Sequence, residues 1–186
     1  SVPWTDNPPW LNDVAWINNA FVAVGARGTV IRSSDGVTWN AEPSNATTSL
    51  EAIAWNGGDL RIAVGKWGTE ASNVYLSRSG GTWEPFVTGV SAANLYGIHW
   101  DGSRFVAVGD GGTVLTATNG EDWSPGTSNT GVRLEKVGSN GGTLVAVGDF
   151  GTILRSTDGG QNWNPATGGD RTNVRAVAVS DSGTPR

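Results

Sequence analysis

The stretch Phe21 to Trp39, FVAVGARGTVIRSSDGVTW, returns three more times, at 61–83, 105–123 and 144–163. Each unit opens on Leu-x-x-hydrophobic-x-Trp or a close variant and passes through an apolar five ending in Ala-Val-Gly. A turn and a second apolar strand follow, and the unit closes on Ser/Thr-x-Asp-Gly-x-x-Trp or a variant of it. The glycines fall at Gly25, Gly65, Gly109 and Gly148, with steps of 40, 44 and 39 residues. The closing tryptophans, Trp39, Trp83, Trp123 and Trp163, step by 44, 40 and 40. A period near 40 built of short strands marks a propeller blade, a sheet that cannot bury both faces alone and must stack on copies of itself.

Unit one predicts strands at roughly 12–17, 20–25, 29–33 and 38–41. The turns are Asn18-Asn19, Ala26-Arg27-Gly28 and Ser33-Ser34-Asp35-Gly36, rich in residues that tolerate positive φ or bond their own backbone. FVAVG is continuously apolar, as a strand covered on both faces must be. Arg61 stands where the other units have Phe or Leu, which predicts a salt bridge or a solvent-facing edge. Unit two also carries the one insertion, at 67–73. No 3.6-residue period is sustained, so no helix is predicted.

The expected fold is therefore an all-β propeller of four-stranded antiparallel blades within one domain. The units lie at about 11–44, 50–89, 95–128 and 134–168, with partial blade strands at 1–8 and 174–180. Trp4 aligns with Trp39, so 1–8 reads as a last strand, whereas 174–180 (VRAVAVS) reads as a first strand. Four units with two fragments predict either a nearly closed five-blade arrangement completed by a second chain or a four-blade ring with terminal extensions. An exposed strand edge at that seam predicts self-association.

The net charge of −5 and the lack of any Lys/Arg run argue against nucleic acid or an anionic membrane as partner. There is no cysteine, hence no disulfide framework and no thiolate metal site. No stretch approaches a membrane span. The chain holds no methionine, which is expected of a processed or excised piece, and a secreted parent would fit.

The turns SSDGVTW at 33–39 and STDGGQNW at 156–163 resemble the Asp-box repeat of sialidase-like propellers. The longer unit FVAVGDGGTVLTATNGEDW at 105–123 is similar to the repeat of bacterial surface and secreted propellers and of the photosystem II assembly factor family. The resemblance implies that the box is a structural hairpin on the rim, away from any ligand. It assigns that role to Ser33, Asp35, Gly36 and Trp39 and to Ser156, Asp158, Gly159 and Trp163. Units two and three depart from it at Ser79 and Asn119. An extracellular, cell-surface or periplasmic location is also implied.

No catalytic constellation emerges. Sialidases of this fold use three clustered arginines and a tyrosine paired with a carboxylate, yet Tyr75 and Tyr96 sit in no recognisable nucleophile setting. His99 is the sole histidine, so a triad or histidine metal site would rest on it alone. Asp110 and Asp149 occupy matching loops and could converge, as glycoside hydrolysis needs, but turn carboxylates do so routinely. Gly-Asp-Gly-Gly at 109–112 lies between strands and is no phosphate loop. Neither cofactor nor metal is expected.

In a four-stranded meander the loops joining strands two and three share an end with the unit linkers. That end gathers Arg27, Lys66, Trp67, Asp110, Asp149 and Phe150. Trp67 and Phe150 are aromatics on short polar loops, the make-up of a sugar or peptide contact. The expected function is a non-catalytic module binding a glycan or a protein on this face. The alternative is a structural or assembly subunit, with a glycoside hydrolase a more distant third.

Overall fold

In a computed structural model, which describes residues 9–68, 71–90 and 92–166, each repeat forms one four-stranded antiparallel sheet. Blade 1 comprises β1 (Leu11–Ile17), β2 (Ala20–Gly25), β3 (Val30–Ser33) and β4 (Asn40–Ala41). Blade 2 comprises β5 (Leu50–Trp55), β6 (Leu60–Gly65), β7 (Val74–Arg78) and β8 (Glu84–Phe86). Blade 3 holds β9 (Leu95–Trp100), β10 (Phe105–Gly109), β11 (Val114–Ala117) and β12 (Ser124–Pro125). Blade 4 holds β13 (Leu134–Asn140), β14 (Thr143–Gly148), β15 (Ile153–Ser156) and β16 (Asn164–Pro165). The terminal strands expected at 1–8 and 174–180 lie outside the described residues.

Two details differ from expectation. The turns after β2, β10 and β14 are single 3₁₀ turns rather than open hairpin loops. The closing tryptophans stand one residue before the fourth strands, not on them. There the indole N–H can turn back into the preceding loop. Trp39, Trp123 and Trp163 donate to the carbonyls of Gly36, Gly120 and Gly160. In blade 4 the acceptor is thus Gly160 and not Gly159, because the extra glycine shifts the loop by one.

The strand-ending glycines follow from a close approach. A Cβ on Gly25, Gly65, Gly109 or Gly148 would collide with the carbonyl of Trp10, Ser49, Asn94 or Arg133, the residue that enters the inner strand of the same blade. The next amide along donates to that same carbonyl in every blade, at 2.8–3.1 Å. One contact therefore pins the inner strand of each blade to its second strand and fixes the spacing seen in the sequence.

The core lies between blades. Each sheet has a valine-rich face turned forward and an aromatic-bearing face turned back. Val22, Val24 and Val30 of blade 1 pack on Ile53, Ala63, Tyr75 and Trp83 of blade 2. Ile62, Val64 and Val74 of blade 2 meet Ile98, Phe105, Leu115 and Trp123 of blade 3. Val106, Val108 and Val114 of blade 3 meet Val137, Leu144, Leu154 and Trp163 of blade 4. The large aliphatic and aromatic side chains among these contribute about 1.5–3 kcal/mol each by leaving water, an upper estimate for a chain partly collapsed before folding. Among the described residues the stack does not close on itself. The inner strands stand in the order β1, β5, β9, β13, and the backward face of blade 1 carries exposed Val14, Trp16 and Phe21.

Arg61 takes the salt-bridge option. It is buried at 3% exposure, and its guanidinium bonds Glu42 at 2.9 Å and Ser77 Oγ at 2.6 Å over the Trp83 ring.

Candidate functional site

The loops between second and third strands occupy equivalent places on one end of the blades, as the shared amide-to-carbonyl bond to the strand-entry residue requires. Their tips are Arg27, Trp67, Gly111 and Phe150. Arg27, Gly111 and Phe150 all have left-handed backbones, with φ of 58°, 63° and 56°. Glycine is at ease there, whereas a side chain costs about 1–2 kcal/mol. Blades 1 and 4 nevertheless place Arg27 and Phe150 at those tips, and Phe150 is 73% exposed. Trp67 is also exposed. Its loop is the long one, held by Gly68 N–H donating to the Ser72 carbonyl and by Ser72 Oγ bonding the Phe86 carbonyl.

A hydrogen-bonded chain runs across this end from blade 2 to blade 4. The Trp67 amide donates to Asn94 Oδ1 at 3.0 Å, and Asn94 Nδ2 donates to Asp110 at 2.8 Å. The Arg133 Nε donates to the other Asp110 oxygen at 2.9 Å, and Arg133 lies 3.5 Å from Glu135. The Arg133 guanidinium sits 4.6 Å over the Tyr96 ring, whose hydroxyl reaches Asp110 at 3.4 Å. Partial burial, then the Asp110 charge, push the Tyr96 phenol above its usual range. The hydrogen bond to Asp110 holds the Arg133 guanidinium more firmly protonated still. Lys66 lies 3.9 Å from Glu51 and its amide bonds the Ser49 carbonyl.

Of the residues singled out in the sequence, Asp110 is thus built into a network, Lys66 forms an exposed ion pair, and Arg27, Trp67 and Phe150 are exposed tips. Asp149 begins the last turn, its amide donating to the Arg133 carbonyl. Asp110 is engaged by Arg133 and Asn94, the ordinary fate of a turn carboxylate. Sequence reasoning missed Asn94, Arg133 and Glu135. A signal existed for Asn94 and Arg133: the residue before each opening leucine is Trp10, Ser49, Asn94 and Arg133, different in every unit beside a leucine that repeats.

The opposite end carries the turns between third and fourth strands, among them the Ser-x-Asp-Gly turns at 33–36 and 156–159. Asp35 Oδ1 accepts the Val37 and Thr38 amides at 2.9 and 2.7 Å and the Ser33 hydroxyl at 2.9 Å. Asp158 likewise accepts the Gln161 and Asn162 amides and the Ser156 hydroxyl. These bonds lower both carboxyls to about 2; the amides of Thr38 and Asn162 contribute most. Asn119 imitates them through its amide oxygen, accepting from Glu121 and Asp122. Ser79 does not; its left-handed φ of 50° turns the chain instead. A cleft of about 310 Å³ at this end is bordered by Arg32, Trp55, Asp59, Arg61 and Ser79. Its charges are already paired, Arg32 and Arg61 with Glu42.

His99 lies on β9, half-buried, 2.8 Å from Ser139 Oγ of the next inner strand. Among the described residues no group of three or more His, Asp or Glu side chains is arranged to hold a metal ion. Among the same residues no helix is long and apolar enough to cross a membrane.

No family model matches the chain, and no curated protein does. Solved propellers do match in fold. YCF48 bound to D1 peptide aligns with 88% of this chain at 20% identity and a TM-score of 0.63. The computationally designed Ika8 protein aligns with 94% at 14% identity and 0.71, and an ancestral GH74 enzyme with 88% at 18% and 0.70. The chain spans 55% of the YCF48 chain, 54% of Ika8 and 25% of the GH74 enzyme. At these identities the likeness establishes a β-propeller fold.

Proposed function

We propose that this chain is a non-catalytic propeller module whose loop end binds a protein segment. The observation that carries the reading is Phe150, which stays 73% exposed at a turn tip where its own backbone is strained. Blade 3 has Gly111 at the equivalent tip, so the turn itself does not require an aromatic side chain there. Beside it, the Arg133 backbone carbonyl anchors the same turn, and the Arg133, Asp110, Asn94 and Tyr96 side chains form a fixed polar row. An exposed ring next to preorganised polar groups suits a peptide carrying one apolar side chain, because little side-chain freedom is left to lose on binding. Among the fold neighbours, YCF48 is described bound to D1 peptide, which supports the protein-binding reading by analogy of fold.

Trp67 favours a second reading, a glycan stacked on its ring. Catalysis is not part of the proposal, in which the Asp110 and Glu135 carboxylates serve to hold Arg133 in place. An extracellular or periplasmic setting belongs to the proposal through the resemblance of the repeat to those of secreted propellers. Self-association is compatible with it, because stacking blades face to face leaves their loop ends open.

The test is a peptide array run beside a glycan array, with wild type, Phe150→Ala, Arg133→Ala and Asp35→Ala. Retained peptides lost in Phe150→Ala and Arg133→Ala but kept in Asp35→Ala support the protein reading. Glycans retained through Trp67 support the second. Binding lost only in Asp35→Ala would overturn both, since it would place the site at the box end.

A further inference from the structure

Between blades 1 and 2 the packing leaves a gap that the next two blade pairs fill. The glycine that turns the chain after each third strand shows it. A Cβ on Gly120 of blade 3 would strike Leu60 and Ile62 of blade 2, and one on Gly159 of blade 4 would strike the Arg104 guanidinium of blade 3. On Gly80 of blade 2 it would meet nothing within 4 Å. The open space beside Gly80 is the cleft of about 310 Å³ bordered by Asn18, Arg32, Trp55, Asp59, Arg61 and Ser79. Blade 2 departs from the repeat at two positions, and both border this cleft: Ser79 replaces the turn aspartate, and Arg61 replaces the Phe or Leu of the other units.

The second departure frees a ring. In blades 1 and 3 the tryptophan at this register packs on the phenylalanine opposite it, with centroids 4.7 and 4.6 Å apart. Trp55 has Arg61 opposite instead, and that side chain reaches over to Glu42, Ser77 and the Trp83 ring. Trp55 is left half-buried on the cleft wall, its indole N–H fixed by the Gly58 carbonyl at 2.7 Å. The rim adds one loosely paired cation and one loosely paired anion. Glu42 bonds Arg61 at 2.9 Å and leaves Arg32 at 3.8 Å, while Arg32 donates to the neutral Asn18 carbonyl. Asp59 lies 3.8 Å from Arg78, which is itself engaged by Glu121 at 2.6 Å.

We infer that this cleft is a carbohydrate-binding subsite for one neutral monosaccharide unit, seated against Trp55 with Arg32 and Asp59 at its hydroxyls. A guanidinium donates to hydroxyl oxygens, a carboxylate accepts from hydroxyl hydrogens, and an indole covers the apolar C–H face of a sugar ring. The Arg32 and Asp59 charges cancel, so a ligand with a net charge gains little here, whereas a polyol uses both groups. The volume lies at the lower end of the range for ligand pockets, which suits a single ring or the end of a chain. The subsite is separate from the loop end, and filling it asks nothing of the peptide-binding groups there.

The test is an array of immobilised neutral monosaccharides and uronic acids, followed by calorimetric titration of the free sugar that is retained, with wild type, Arg32→Gln, Asp59→Asn and Trp67→Ala. The Arg32 and Asp59 side chains are 37% and 61% exposed, so these two substitutions spare the blade interiors, and urea unfolding checks that they do. The expected result is a retained neutral monosaccharide whose affinity falls about tenfold or more in Arg32→Gln and in Asp59→Asn, as loss of a charged hydrogen bond brings. Trp67→Ala should bind it as wild type does, and peptide capture at the loop end should be unchanged in both cleft variants, so the two sites fail separately. An array that retains no sugar overturns the inference, as does a retained sugar whose affinity neither cleft variant alters. Retention of uronic acids alone, lost in Arg32→Gln and kept in Asp59→Asn, overturns the neutral class. Loss of the sugar only in Trp67→Ala overturns the site, since it moves the sugar to the loop end.

Discussion

Replacing Arg61 by leucine should destabilise the protein, and replacing its partner as well should restore most of the loss. Arg61 and Glu42 form a nearly buried pair, with side-chain exposures of 4% and 13%. Both Glu42 oxygens lie within 3.1 Å of the Arg61 Nη1, and one also accepts the Trp83 indole N–H at 3.1 Å. Breaking a fully buried pair costs about 3–5 kcal/mol, because the remaining charge is stranded. Here Glu42 keeps the Trp83 donor, has Arg32 at 3.8 Å and retains some solvent, so about 2–3 kcal/mol is expected for Arg61→Leu. Leucine already fills this register in blade 4 as Leu144, and the Arg61 Nε is itself buried without a partner among the described residues. The double variant Arg61→Leu/Glu42→Gln keeps an acceptor for Trp83 and removes both charges, so it should lie within about 1 kcal/mol of wild type. Urea unfolding followed by tryptophan fluorescence and far-ultraviolet circular dichroism reads both. A single variant as stable as wild type, or a double variant less stable than the single, would refute the assignment of Arg61 as a charge held in place by Glu42.

Asp35→Ala and Asp158→Ala should each lower the melting temperature and leave loop-end binding unchanged; calorimetry and a binding titration check the two halves. Both carboxyls are lowered to about 2 when folded, against 3.8 for the free group. Their contribution is therefore complete above about pH 4 and lost as pH falls through 2, so the melting temperature of either alanine variant should fall less steeply than that of wild type as pH drops through that window. Gly112→Ala should destabilise by about 2 kcal/mol or more, because a Cβ there meets the Thr130 carbonyl at a backbone φ of +73°; a neutral result in urea unfolding would contradict the close approach. Phe150→Ala should weaken peptide capture about tenfold or more while the chain still folds; a binding titration beside urea unfolding checks both, and unchanged capture would contradict the loop-end reading.

The blades were legible because their chemistry repeats. Ala-Val-Gly ends a strand where no Cβ fits against the strand-entry carbonyl, and the apolar five reflects burial on both faces, so the four strands of unit one could be placed within a residue or two. The Asp35 and Asp158 turns were equally readable, since Ser, Asp and Gly at that spacing have few other uses. The polar row at the loop end was not. Arg133 and Asn94 sit at single variable positions, and only the stacking of blades brings Asn94 beside Asp110 and Asp110 beside Arg133. Nor did the sequence announce that Glu42 would pass over to blade 2 to hold Arg61. A contact 19 residues away in the chain and across a blade boundary leaves no periodic trace.

Hydrogen exchange in the presence of an array-selected peptide tests the central claim most directly. The account predicts slowed exchange at 66–68, 94–96, 110–112, 133–135 and 149–151, the loop end of blades 2 to 4, and no change at the box turns 34–38, 119–122 and 158–162. Protection confined to the box turns, with the Phe150 and Arg133 segments untouched, would contradict it.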